Sequence, residues 1–305
     1  MKRAELLKLL AYAPDSPDAA AMRRDADTLS RERFNGKALL LGQLGVERHA
    51  CPGKCGFCAF SADIFQDTAK EIDIARLTER AVSFAGNGAI DALFLMTMHD
   101  FEEEKMLELV HSIRQKIPSP IRLVLNIGDA APEFWSRAKK VGVSGAYHVL
   151  RLREGADTQL NPTARRKTIA AIRAAGLDWY YCCEPVGPEH SDEELADAIE
   201  LGNEFGCFQH AAMARVNFPG SPMQGEISRT RLAQIVAAVA LASAENRELG
   251  SIAVHEPDAL GLRSGANSVY AEAGANPRDV APDTATGRGS NATMLRTMLQ
   301  EANWR

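Results

Sequence analysis

Three cysteines within a span of eight residues constrain this chain more than any other feature. Cys51, Cys55 and Cys58 follow a C-x3-C-x2-C spacing, with a proline and two glycines between them. Those intervening residues disfavour helix and strand and predict a loop. A loop can direct three thiolates at one point, and thiolates are the ligands of iron–sulfur clusters. A [4Fe–4S] cubane needs four ligands, so the motif leaves one iron open to a ligand from outside the protein.

Two other interpretations of the cysteines stay open at this point. A structural zinc site would require a fourth ligand. His49 is the nearest candidate, but its spacing to Cys51 does not suit a zinc knuckle. The three thiols could also be unrelated to one another, in which case they have no common ligand.

Strand and helix patterns alternate along most of the chain, beginning with an apolar run just before the cysteine loop. Such alternation predicts parallel βαβ units, and eight strands make an α/β protein of the (β/α)8 TIM-barrel type. The predicted strands cover residues 37–46, 90–96, 122–127, 145–150, 178–184, 211–217, 251–255 and 268–271. The predicted helices after the loop cover residues 74–85, 102–117, 131–141, 164–175, 192–205 and 229–246.

The sequence divides into three predicted parts. Residues 1–36 form an N-terminal helical cap of two helices, separated where Pro14 and Pro17 interrupt the pattern. Residues 37–280 form the barrel. Residues 281–305 form a C-terminal tail, in which a Pro-, Gly- and Thr-rich stretch over 279–290 predicts a mobile segment before a last short helix.

Composition excludes several classes of function. The net charge of −5 and the pI near 5.9 argue against non-specific binding of nucleic acid, which needs a basic surface. No apolar run approaches the length of a membrane span, and the first residues lack the apolar core of a signal peptide. Six cysteines in 305 residues, three of them clustered, indicate metal binding and not a disulfide framework. We therefore expect a reducing, cytoplasmic location.

The cysteine loop, with Phe57 directly before the third cysteine, resembles the radical S-adenosylmethionine (SAM) superfamily. The resemblance implies that Cys51, Cys55 and Cys58 hold a [4Fe–4S] cluster whose open iron binds SAM. In that family the cluster cleaves SAM to a 5′-deoxyadenosyl radical, which abstracts hydrogen from the substrate. The expected partners are a small-molecule substrate and an electron donor such as flavodoxin or ferredoxin.

Three segments narrow the resemblance to the subgroup of biotin synthase, methylornithine synthase and a hydrogenase-maturation enzyme. They are residues 43–61, the Gly-Ser-Pro turn within 217–223, and residues 264–270. Sulfur insertion like that of biotin synthase is the alternative function. The auxiliary cluster of that enzyme needs cysteines, which the alignment replaces with Leu95 and Val124.

In the alignment, the third auxiliary cysteine falls near Tyr180 and the auxiliary arginine near His255. These replacements favour a rearrangement, bond formation or fragmentation that ends without sulfur donation.

Cofactor-binding residues are expected from the same resemblance. Phe57 lies where the family contacts the SAM adenine, and Thr97 lies in the stretch that replaces the Gly-Gly-Glu motif of relatives. Arg165 matches an arginine that binds the SAM carboxylate. Arg151 and Arg153 follow the fourth strand and alternate with apolar residues, so we expect both to point inward. Exposure at the protein surface is the alternative for all three arginines.

Candidate catalytic residues lie at the ends of the fifth and seventh strands. They are Tyr181, Cys182, Cys183, Glu184 and His255. Barrel enzymes take catalytic groups from these positions. Alternation along the strand sends Cys182 and Glu184 to one face and Cys183 to the other. Small buried cysteines that only pack, and a structural histidine, are the competing interpretations.

These arginines also indicate the charge of the substrate. The SAM carboxylate occupies one of them, so another would remain near the substrate, and a buried cation needs a partner. We expect a small anionic or zwitterionic substrate, such as a carboxylate or an amino acid.

Overall fold

The computed structural model describes residues 1–68, 72–86, 90–273 and 291–305. Eight parallel strands close into a barrel in which each strand pairs with the next and the last pairs with the first. The strands are β1 Leu39–Gly45, β2 Ala92–Met96, β3 Arg122–Asn126, β4 Gly145–Tyr147, β5 Asp178–Val186, β6 Gln209–Ala214, β7 Ser251–His255 and β8 Ser268–Ala273. The predicted (β/α)8 fold is confirmed.

Helices surround the barrel and complete the alternation. They are α1 Arg3–Leu10, α2 Pro17–Arg33, α3 Ile74–Ala85, α4 Glu103–Arg114, α5 Pro132–Lys140, α6 Pro162–Ala174, α7 Asp192–Glu204, α8 Arg229–Ala242, α9 Ala259–Leu262 and α10 Ala292–Glu301. The short α9 was not predicted. None of the described helices is long and apolar enough to span a bilayer.

The two predicted N-terminal helices are present and pack on the outside of the barrel, against α7 and α8. The Ser16 side chain accepts a hydrogen bond from the backbone N–H of Ala19, and Pro17 occupies the first turn. Both residues favour the start of a helix there. The Gln234 side-chain amide of α8 donates to the carbonyl oxygens of Leu9 and Tyr12, which fixes the end of α1.

The last residues of the chain pack below β1, at the amino-terminal end of the barrel. The backbone of Arg305 donates to the carbonyl of Gly36 and accepts from the N–H of Ala38. The Arg31 guanidinium lies 4.5 Å from the centre of the Trp304 ring. The predicted mobile segment over 279–290 lies outside the described residues, so the division of the tail from the barrel stays a prediction.

Aromatic side chains fill the middle of the barrel and form a floor to its upper half. The Phe94 ring contacts Tyr180 and Tyr270 edge to face, each with 5.1 Å between ring centres, and Tyr147 at 6.3 Å. All four side chains are buried. Because successive residues of a strand face opposite sides, these contacts identify the residues that face the barrel interior, or lumen.

His210 in β6 lies between the barrel and the helix layer. Its ring packs on Tyr181, and its Nδ1 atom lies 3.1 Å from the Ser243 hydroxyl. Burial lowers the pKa of His210 to about 3. An unfolded histidine takes up its proton near pH 6.5. Below that pH the unfolded state binds a proton that the native state does not, so the folded protein loses stability as the pH falls.

Replacing His210 with glutamine should therefore weaken the acid sensitivity of the fold. Between pH 6.5 and 5, the free energy of unfolding of His210→Gln should fall less steeply than that of the wild type, by about 1 kcal/mol per pH unit. Urea unfolding at several pH values measures both slopes. His111→Gln, at an exposed position of α4, is the control and should keep the wild-type slope. Equal slopes for His210→Gln and wild type would contradict the prediction.

Candidate functional site

The cysteine loop follows β1 and lies over the carboxyl ends of the strands. Its three cysteines and Phe57 line a cavity of ≈ 290 Å³ that continues into the lumen. Residues from the ends of all eight strands, or directly after them, line the rest of this cavity. A barrel of parallel strands brings those ends together, and it is there that such folds place active sites.

Backbone contacts hold the cysteine loop in place. The N–H of Cys51 donates to the carbonyl of Phe60 at 2.8 Å. The N–H of Gly56 donates to the carbonyl of Asp157, in the segment after β4, at 2.9 Å. The Ser221 hydroxyl, in the predicted Gly-Ser-Pro turn after β6, donates to the carbonyl of Gly56 at 3.2 Å. The loops after β4 and β6 therefore position the motif.

The spacing of the sulfur atoms fits a cluster better than a single zinc ion. The three do not all lie within 4.8 Å of one another. Sulfurs that share one tetrahedral zinc with bonds near 2.3 Å would lie about 3.8 Å apart. The Nε2 atom of the buried His49 lies 2.9 Å from Asp100, and its Nδ1 atom lies 3.8 Å from Glu47. The Nδ1 atom has no hydrogen bond within the described structure, but His49 does not line the cavity that the three cysteines line.

Burial disfavours the thiolate form of two of the three cysteines when no metal is bound. Burial raises the pKa of Cys55 to about 12, although the nearby Arg151 guanidinium opposes this shift. Burial also raises the pKa of Cys58. Metal binding must therefore displace protons from the loop, as is usual for thiolate sites.

Arg151 lies between the cysteine loop and the lumen. Its Nε atom is 3.5 Å from the Glu184 carboxylate, and its Nη1 atom is 3.8 Å from Glu154. The Tyr147 hydroxyl donates a hydrogen bond to Glu184. Burial raises the pKa of Tyr147 and keeps that hydroxyl protonated. Burial lowers the pKa of Arg151, but the surrounding carboxylates outweigh it and the pKa is raised. Neither of its side-chain contacts is a close hydrogen bond, so the guanidinium keeps donors for a ligand.

Arg165 also lines the cavity, but more of its donors are used within the protein. Its Nε and Nη2 atoms donate to the carbonyl of Val149 at 3.1 and 2.9 Å. Its Nη1 atom lies 3.4 Å from the Asp129 carboxylate. Asp129 in turn accepts a hydrogen bond from Thr168 and lies 3.0 Å from the Nε2 atom of His148.

The expectation that Arg153 points inward is wrong. Strand β4 ends at Tyr147, so the two-residue alternation does not extend to residue 153. Arg153 adopts a left-handed backbone conformation with φ of 52°. Its guanidinium pairs with Glu194 at 2.6 Å, on the outside of the cavity.

Of the predicted catalytic residues, Glu184 and His255 line the cavity and the other three do not. Tyr181 faces the helices: its ring lies 4.7 Å from Trp179, and its hydroxyl donates to the carbonyl of Leu150. Alternation places Cys183 on that same outer face. Cys182 shares the inward face of Glu184 and is fully buried.

His255 stacks on the ring of Tyr270 with 4.1 Å between the ring centres. Both residues line the cavity; His255 ends β7, and Tyr270 lies within β8.

The alignment of Leu95 with an auxiliary cluster position needs correction. Phe94 faces the lumen, so its neighbour Leu95 faces the helices. Phe94 and Met96 are the inward positions of β2, and their register partners in β3 are Val124 and Asn126. None of these four side chains is a cysteine, so the inward face of β2 and β3 offers no thiol to an auxiliary cluster of the biotin-synthase type.

The loops after β2 and β3 approach each other closely at the cavity. Thr97 and His99 line the cavity in the stretch where relatives have Gly-Gly-Glu. A side chain at Gly128 would place its Cβ atom 1.8 Å from the carbonyl oxygen of His99. Glycine is therefore required at this contact.

The fold was compared with known proteins once these residues were placed. No protein-family model matches the sequence, and no curated protein matches it either. Methylornithine synthase superposes with a TM-score of 0.81 at 11% identity, over 100% of this chain and 93% of its own. The FeFe-hydrogenase maturase HydG from Carboxydothermus hydrogenoformans gives 0.77 at 15% identity, over 100% and 75%. Streptococcus suis SuiB bound to S-adenosylmethionine gives 0.55 at 13% identity, over 87% and 66%.

The chain has the barrel fold that these proteins share. Identities of this size establish the fold alone. The particular reaction does not follow from the likeness.

Several residues at this site of the barrel were missed in the sequence. They are Gln43, Asp129, Tyr147, Glu154 and Glu272, which line the cavity or pair with residues that do. Asp129 follows β3 and Glu272 ends β8, and that position at the end of a barrel strand was the available signal. Glu154 lies in a loop, and only the folded structure brings it between Arg151 and Arg165.

Removing Asp129 should destabilise the protein strongly. Asp129→Ala leaves the buried Arg165 without one of its carboxylate partners, and breaking a buried pair in this way costs about 3–5 kcal/mol. Urea unfolding measures the loss. Glu108→Gln, at an exposed position of α4, is the control and should change the free energy of unfolding by less than about 0.5 kcal/mol. An Asp129→Ala variant as stable as the control would contradict the role assigned to this carboxylate.

Proposed function

We propose that this protein is a radical SAM enzyme that acts on a small polar metabolite. The observation that carries the proposal is the convergence of three cysteines over a polar lumen in a barrel of this fold. The sulfur spacing and the position of His49 outside the cavity lining fit a cluster and disfavour a single zinc ion. We further propose a reducing compartment, the cytoplasm, because oxygen damages a cluster with an open iron.

The residues present fit both expected cofactors. Cys51, Cys55 and Cys58 would hold the [4Fe–4S] cluster, which supplies the electron that cleaves SAM to the 5′-deoxyadenosyl radical. Phe57, in the cysteine loop, and Thr97, after β2, both line the cavity and would contact SAM. An electron donor such as flavodoxin or ferredoxin would reduce the cluster.

Arg151 is the best candidate for the SAM carboxylate. It lies close enough to Cys55 to oppose the rise in the pKa of that thiol, and its carboxylate contacts of 3.5 and 3.8 Å leave donors for a ligand. Glu184 and Glu154 orient that guanidinium from two sides. Arg165 is the weaker candidate because its Nε and Nη2 atoms are bound to a backbone carbonyl.

The lumen below this position would hold the substrate. The aromatic floor around Phe94 closes it from beneath, so a bound molecule is shielded from water. Glu184 and His255 would contact the substrate from β5 and β7. The residues at β2 and β3 favour a rearrangement, a bond formation or a fragmentation over sulfur insertion, and an amino acid or other carboxylate suits the polar lining.

The cluster assignment is tested by iron content and by SAM cleavage. Protein reconstituted without oxygen should bind about four irons per chain, and the Cys55→Ala variant should lose the cluster and release no 5′-deoxyadenosine. Iron and sulfide analysis and chromatography of the products provide the measurements. A Cys207→Ala variant is the matched control, because that buried cysteine lies outside the cavity. Normal cleavage by Cys55→Ala, or about six irons per chain, would argue against the proposal.

The two arginines after β4 give a second test. Arg151→Ala should weaken SAM binding by about 1.5–3 kcal/mol, the usual loss for a hydrogen bond to a charged group. Arg153→Ala should leave the affinity unchanged, since its guanidinium pairs with Glu194 outside the cavity. Equilibrium binding measurements compare the SAM affinities of the two cluster-loaded variants. The assignment fails if the two variants bind SAM equally well.

A further inference from the structure

The loop after β6 holds the cysteine loop at Gly56, which lies between the second and third cysteines. The Ser221 hydroxyl donates to the Gly56 carbonyl, as described above. A side chain at Gly56 would place its Cβ atom 3.1 Å from two atoms of the Met223 side chain, so the two loops also pack closely. The position of the three cysteines therefore depends on where the loop after β6 lies.

Arg215 begins the loop after β6 and fixes its later part. The side chain is 2% exposed. Its Nε and Nη2 atoms donate to the Gly225 carbonyl at 3.1 and 3.0 Å, and Nη2 also lies 2.7 Å from the Gln224 carbonyl. The side-chain amide of Gln224 in turn donates to the Ser221 carbonyl at 2.6 Å. One buried guanidinium thus shapes the segment that reaches the cysteine loop.

Glu189, in the segment after β5, is the carboxylate partner of Arg215. Its two oxygens accept from Nη1 and Nη2, and the Nη2–Oε2 distance is 2.9 Å. A side chain at Gly187 would place its Cβ atom 2.5 Å from atoms of both partners, so glycine lets the pair lie against the backbone. Arg215 lines the cavity, whereas Glu189 lies outside the cavity lining. An effect of this carboxylate on the site must therefore pass through the arginine.

We propose that Glu189 is a positioning residue for the cluster, which acts through Arg215 to hold the cysteine loop over the mouth of the barrel. Loss of the carboxylate leaves an uncompensated charge on a buried guanidinium, which is strongly unfavourable. Arg215 then turns toward water and releases the carbonyls that it holds in the loop after β6. The cysteine loop opens more often as a result, while the barrel stays folded. The role of the cluster rests on the proposed function, but the loop opening is a property of the metal-free protein.

Alkylation of the metal-free protein tests the inference without a cofactor. Cys55 is 8% exposed, so iodoacetamide reacts with it when the loop opens. Glu189→Gln keeps the shape of the side chain and removes its charge, and it should raise the rate of Cys55 modification about tenfold or more, as measured by mass spectrometry of peptides. Glu193→Gln, at an exposed position of α7, is the matched control and should keep the wild-type rate.

Two further measurements separate loop opening from loss of the whole fold. The fully buried Cys207 reports global unfolding in the same samples, and Cys55 of Glu189→Gln should react about tenfold or more faster than Cys207. The double variant Glu189→Gln/Arg215→Met leaves no unpaired buried charge, so it folds even where the single variant does not. Because both residues act by one route, its Cys55 should react no faster than that of Arg215→Met alone.

Three results would overturn the inference. The first is an equal rate of Cys55 modification in Glu189→Gln and Glu193→Gln. The second is an equal rate for Cys55 and Cys207 in Glu189→Gln. The third is a double variant whose Cys55 reacts about tenfold faster than that of Arg215→Met, since the two effects would then be independent.

The reconstituted protein connects loop opening to the cluster. A chelator should remove iron about tenfold faster from Glu189→Gln than from Glu193→Gln, and equal rates would show that Glu189 does not position the cluster. The iron content of the wild type tests the proposed function separately. A wild type that binds no cluster refutes that function, whereas a cluster-loaded wild type with equal Cys55 rates in the two variants refutes only the role of Glu189.

Discussion

Buried positive charge at the mouth of the barrel is the constraint on which the surrounding structure depends. Arg165 is buried and Arg151 is partly buried, and cations in such places are stable only with carboxylates close by. The partners come from the segment after β3, the loop after β4 and the strand β5. Pairing therefore ties three neighbouring elements together. The loop that contains Glu154 also presents the Asp157 carbonyl that holds the cysteine loop, so the charge network and the metal motif share one support.

Most of the fold could be predicted from the sequence because it depends on local patterns. Apolar runs of strand length alternate with segments of helical periodicity, and eight such repeats admit few architectures. The ends of elements were less predictable. Strand β4 was expected to reach residue 150 because its apolar residues continue that far, but the pairing ends at Tyr147. Beyond that point the backbone turns to bring Arg151 and Glu154 together, and no residue-by-residue pattern encodes such a contact.

The residues of the site also fall into those that the sequence could predict and those that it could not. The cysteines were recognisable because ligand spacing within one loop is a local property. The sequence pattern within a strand also indicates which residues face inward, but a shift of one residue reverses the assignment. Leu95 shows this, since its neighbour Phe94 is the residue in the lumen. Tyr181 was mistaken for a lumen residue for a related reason, as it stands between Tyr180 and Cys182, which face inward. Gln43 and Glu272 belong to the first and last strands, and only closure of the barrel makes them neighbours.

The aromatic floor of the lumen has a kinetic consequence. Phe94 and the three tyrosines around it close the described barrel from below, so traffic to the lumen must pass the mouth where the cysteine loop lies. Under the proposed function, bound SAM would occupy that mouth and block the entrance to the lumen. A molecule that binds deeper has to enter before SAM and leave after the nucleoside has gone. Under that function, the floor would impose a compulsory order on binding and release.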